Sequence, residues 1–211
     1  MVQESDLTKS WIKLGIVAGL LVSFIYPSLM FIPMPSVLQV FLIMAFGPLL
    51  GLASVGLYYF ITLDKKTLSS TVAVISNIIA GVLITSMLLV QIAIRSSKPD
   101  SFDISSKWAW KSLNQVHLGL DIAWDVYIFL GTFLFAISMF RNPKFGKIFS
   151  AIGIVISLLL IIFNAISFPA PPGDSGLIDL GPFVGLWYFA ATVIMIVNFK
   201  GISSNGLSIN T

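Results

Sequence analysis

Six apolar stretches, with nearly every charge pushed into the breaks between them, constrain this chain more than any motif it carries. They span 14–32, 37–62, 69–94, 114–140, 147–168 and 178–199. Each is long enough to cross the ~30 Å hydrocarbon core of a bilayer as a helix. The composition agrees, with 57% hydrophobic and 10% charged residues, where an average soluble domain has about 25% charged. A soluble chain this apolar would expose large greasy patches, so lipid is the expected solvent. The spans consume most of the 211 residues and leave no room for a soluble catalytic domain. The expected fold is all-α: a six-helix transmembrane bundle forming a single integral membrane domain over 1–211.

The net charge of +3 and pI near 9.2 do not point to nucleic acid, because the basic residues are scattered over loops and form no patch. They report topology instead. With the N-terminus inside, the inner segments hold Lys9, Lys13, Lys65, Lys66, Arg141, Lys144, Lys147 and Lys200, and the outer ones Arg95, Lys98, Lys107 and Lys111. Eight against four places both termini in the cytoplasm by the positive-inside rule. The absence of cysteine excludes disulfides, thiolate metal sites and a cysteine nucleophile. Lys9 and Lys13 ahead of an apolar run imitate a signal peptide. The run continues to Ile32 with no small-x-small cleavage site, so a retained first helix is expected.

The connection 95–113 reads as the longest loop, with Trp108 and Trp110 beside Lys107 and Lys111 as an interfacial anchor. The segment 168–182 is rich in Pro and Gly and cannot be helical throughout, yet its prolines make it stiff. It carries Asp174 and Asp179. The basic segments 63–66 and 141–147 read as tight turns, which makes helices two and three, and four and five, antiparallel neighbours. Gly15 and Gly19, Gly47 and Gly51, and Gly181 and Gly185 each stand four apart, a spacing that lets helix backbones approach closely. Pro48 inside the second span predicts a kink or an interrupted helix.

The fourth span carries the chemistry. His117, Asp121 and Asp125 follow at i, i+4 and i+8, drifting about 40° per step, so they share one stripe with Trp124. From a start near Asn114, Asp125 lies ~16 Å along the axis, close to the bilayer midplane. An exposed carboxylate there costs a few kcal/mol or more, so the stripe must face protein or water. In the orientation above, Gln39, Gln91 and Asn164 fall in the outer half of the membrane with His117 and Asp121, and an outward-facing polar pocket is the expectation.

Three readings of the stripe compete. In the first it is a buried network fixing helix register, with a His117–Asp121 pair. In the second, Asp121 and Asp125 accept a proton or cation, since two carboxylates one turn apart in low dielectric cannot both ionise cheaply. In the third, His117 is a general base or metal ligand of a membrane-embedded hydrolase completed by Asp121 or Asp125. One histidine and no cysteine make a poor complement for zinc, so no metal is expected. No Walker loop, dinucleotide fingerprint or nucleophile elbow occurs, and no cofactor is expected.

The strings AFGPLLGLASVGLYYF (45–60), NIIAGVLITSMLLVQIAIR (77–95), LGLDIAWDVYIFLGT (118–132) and FPAPPGDSGLIDLGPFVGLWY (168–188) resemble a group of small bacterial membrane proteins of unknown function. The resemblance covers most of the chain. It implies a bacterial inner-membrane protein and supplies no catalytic residue. The function expected is binding or translocation of a small ligand, ion or proton in the polar pocket. A membrane-embedded hydrolase and a structural or accessory subunit are the alternatives.

Overall fold

The computed structural model describes residues 2–96 and 104–204. Among them the chain forms six α-helices and one 3-10 turn, with no strand: α1 (Val2–Phe31), α2 (Ser36–Thr62), α3 (Leu68–Ser96), α4 (Ile104–Met139), α5 (Gly146–Ser167), the turn Pro172–Ser175, and α6 (Gly181–Ser204). Each helix is long and apolar enough to cross a membrane. Successive helices from α1 to α5 pack as antiparallel neighbours, and α6 closes the bundle against α1 and α5.

The helix ends depart from the apolar runs for physical reasons. Hydropathy marks the part of a helix that suits lipid, not where its hydrogen-bond ladder stops. Thus α1 begins twelve residues before the apolar run at Leu14, and α4 is 36 residues long, about 54 Å. Most of the expected loop 95–113 is therefore helix. No proline or glycine interrupts 104–118, and Trp108 stands 71% exposed on the first turns of α4. Lys98 lies outside the described residues. α6 starts at Gly181 rather than 178, where Pro182 suits a first helical turn and the Asp179 carboxylate accepts the Gly181 N–H at 2.9 Å.

The expected interruption at Pro48 is not found. α2 runs unbroken through it, and α1 likewise runs through Pro27. Both prolines are exposed on the bundle surface. The glycine spacings divide. A side chain at Gly15 would strike the Gly56 backbone, and one at Gly47 the Gly81 carbonyl, so α2 touches α1 and α3 backbone to backbone. Gly185 faces open space. GPLLGL at 47–52 and GPFVGL at 181–186 match at four of six positions, but the first lies mid-helix and the second starts a helix.

Two apolar clusters fill the interior, one around Phe60, Phe135, Met139 and Trp187, the other around Phe46, Leu50, Ile84, Ile128 and Leu160. Between them a polar tie joins three helices. Asn77 of α3 donates to the Tyr188 hydroxyl of α6 at 2.6 Å, and the Tyr188 and Thr132 hydroxyls are hydrogen-bonded at 3.2 Å. Asn77 and Thr132 are fully buried.

The start of α1 meets the ends of α2 and α6, with Trp11 stacked on Tyr59 at 5.9 Å and Lys13 over the Phe199 ring at 5.8 Å. This is the basic end of the bundle. There the two turns 63–67 and 140–145 are bolted together. Asp64 accepts from Lys144 Nζ at 3.0 Å and from Asn142 Nδ2 at 2.7 Å. Ser138 shares hydroxyl bonds with Ser69 at 2.9 Å and Thr67 at 3.3 Å. The opposite, acidic end holds the stripe of α4.

Candidate functional site

The site is built where α4 meets the stiff segment that leads into α6. Burial of Pro172 pins that segment, and Gly176, at φ +77°, lets it turn back on itself. α6 then begins beside Trp124, close enough that a side chain at Gly181 would touch the indole ring. The turn that starts α6 therefore carries Asp179 to the α4 stripe.

Asp125 is only 4% exposed, and Asp121 and Trp124 are half-buried. Asp179 lies within electrostatic reach of both Asp121 and Asp125, and all three bear on the Tyr26 hydroxyl of α1. Three elements far apart in sequence thus place three carboxylates and a phenol within electrostatic reach of one another, with Asp179 itself exposed. No cation balances them among the described residues. The charged groups that bear on Asp125 are the other two carboxylates, whereas Arg95 bears on His117. Among the described residues no side chain donates a hydrogen bond to Asp121 or Asp125. The Trp124 indole N–H is buried and likewise without a protein partner.

The other expected residues are placed differently. His117 sits one turn beyond Asp121, half-buried, with neither ring nitrogen hydrogen-bonded. The His117–Asp121 pair that a register network or an acid–base dyad would use is therefore not formed. Asn164 is buried, but its amide donates to the Leu160 carbonyl of its own helix at 3.0 Å. Gln39 and Gln91 are half-buried on α2 and α3 and share no hydrogen bond with α4 among the described residues. Nor does any group of three His, Asp or Glu side chains there come close enough to hold a metal ion.

Tyr26 and Asp179 are the members that sequence reasoning missed. Tyr26 is a polar-tipped aromatic inside an apolar run, beside Pro27. Asp179 was legible only as a loop acid, although the Gly181–Pro182 helix start two residues on was a signal that its carboxylate would cap rather than float. An assembly of this kind can accept protons or bind a positively charged group. In low dielectric, carboxylates at close quarters repel strongly unless something neutralises them. Family models, curated proteins and solved structures yield no match to this chain.

Proposed function

We propose that this is a multi-pass cell-membrane protein, with both termini in the cytoplasm, that accepts a proton at Asp121 and Asp125, or binds a small organic cation beside them, and exchanges it with the outer side. The eight-to-four bias of basic residues supports the orientation, and the resemblance to small bacterial membrane proteins supports an inner membrane. One observation carries the site: Asp125 is buried at 4% exposure with carboxylates as its charged neighbours and no hydrogen-bond donor among the described residues. A carboxylate kept in such surroundings weakens the bundle unless a proton or cation joins it. Asp121 and Asp179 add negative charge within electrostatic reach, Tyr26 adds a hydroxyl, and the Trp124 ring offers a face for an organic cation.

The test is thermal unfolding of the purified full chain in neutral detergent, across pH and with choline or another organic cation against Na⁺ as the control at constant ionic strength. A ligand that binds only the folded state at 100 times its Kd adds about 2.7 kcal/mol, so the wild type should gain several degrees in pH or in one cation. Asp125→Asn should melt at least as high as the wild type and lose that response. Equal responses in both proteins, or none in the wild type, would overturn the proposal.

A further inference from the structure

The basic end carries a second feature, independent of the acidic site. Residues 63–67 and 140–147 hold five cations and one carboxylate. That carboxylate, Asp64, is occupied by Lys144 at 3.0 Å and Asn142 at 2.7 Å. Lys144 also lies over the Phe60 ring at 5.3 Å, and Phe60 packs edge-on against Phe145. The ion pair thus acts as a clasp that holds the two turns side by side. The remaining cations, Lys65 and Lys66 on one turn and Arg141 and Lys147 on the other, are exposed and have no carboxylate partner among the described residues.

The apolar side chains beside them are among the most exposed of the bundle. Leu68, next to Lys66 and Thr67, is 81% exposed, and Ile148, next to Lys147, is 80% exposed. Each lies in the first turn of a helix long and apolar enough to cross a membrane. The first turn of α5 has no side-chain cap, which leaves backbone N–H groups and the positive helix end beside Lys147. Four cations at headgroup depth over two apolar side chains at acyl depth match one molecule with both halves: a phospholipid with net negative charge.

We propose that the clasped turns form a binding site for an anionic phospholipid. Its phosphate lies among Lys65, Lys66, Arg141 and Lys147, and its acyl chains lie along Leu68 and Ile148. Guanidinium and ammonium groups on separate turns grip the phosphate oxygens from two sides. Occupancy staples the α2–α3 hairpin to the α4–α5 hairpin, which deepens what the Asp64–Lys144 pair begins.

The test uses the full chain in neutral detergent doped with phosphatidylglycerol, with phosphatidylcholine, or with inorganic phosphate. Phosphatidylglycerol should raise the wild-type Tm by about 5 °C over phosphatidylcholine, and raising NaCl from low to high should erase the difference. Inorganic phosphate should do nothing. Lys65→Gln/Lys66→Gln and Arg141→Gln/Lys147→Gln should each lose most of the gain while melting like the wild type in phosphatidylcholine. Equal stabilisation by both lipids, a gain that survives high salt, reproduction by free phosphate, or retention in both variants would overturn it. The wild-type salt comparison decides the matter even if a variant does not fold.

Discussion

The two ends of this bundle treat a carboxylate in opposite ways. At the basic end Asp64 is part-exposed, yet it is bound by an ammonium at 3.0 Å and an amide at 2.7 Å. At the acidic end Asp125 is buried, has no donor, and is faced by two further carboxylates. Burial raises the need for partners because low dielectric magnifies both attraction and repulsion. Asp64 therefore serves cohesion. Asp125 opposes it, which is the arrangement expected of a group kept for binding rather than for stability.

The polar tie between the two ends is the sharpest reference point, because it is buried like Asp125 and, through the Asn77 amide N–H and the Tyr188 and Thr132 hydroxyls, partnered like Asp64. Asn77→Leu should cost about 2 kcal/mol, since it takes the amide donor from the Tyr188 hydroxyl in a dry interior. Equilibrium unfolding in detergent measures it, and a neutral result would break the view that this tie joins α3 to α6. Asp64→Ala should cost about 1 kcal/mol, discounted for exposure, and the loss should shrink as salt is added. A loss independent of salt would mean that the clasp works through the Asn142 amide rather than through charge.

Asp125→Asn should change stability by less than that and in the other direction, a gain of up to about 1 kcal/mol, because it removes an unbalanced group without removing volume. A marked fall in Tm would erase the contrast between the ends and return the stripe to a structural role. Gly185→Ala should be the smallest effect, within about 0.5 kcal/mol, since nothing lies near a side chain there. Gly47→Ala, which would strike the Gly81 carbonyl, serves as its counterpart, with a loss of about 1–3 kcal/mol from overpacking. Similar Tm values for the two would show that α2 and α3 part more easily than their backbone contact implies.

The architecture was largely legible in the chain. Hydropathy located six spans because each helix reports its solvent locally, and the basic turns 63–66 and 141–147 announced antiparallel neighbours. Where hydropathy misled, as over 104–113, it was because a helix continues past the lipid that selects its residues. Pro48 announced a kink or an interruption, and only the structure shows that α2 continues through it. The site was half legible. The stripe of Asp121, Trp124 and Asp125 follows from 100° per residue, and so does the demand that it face protein or water.

Which protein groups it meets does not follow from periodicity, which specifies a face of one helix and nothing about the face opposite. Gln39, Gln91 and Asn164 were expected in the stripe's half of the membrane, yet none of them bonds to it among the described residues. Asp179 and Tyr26, one on a loop and one on another helix, do reach it electrostatically. From its residues alone the chain dictated the solvent, the number of helices and the presence of ionisable groups at membrane depth, because these depend on transfer energies summed along a local segment. Packing in three dimensions decided that Asp64 has partners and Asp125 has rivals, because pairing depends on distances between segments that no local pattern encodes.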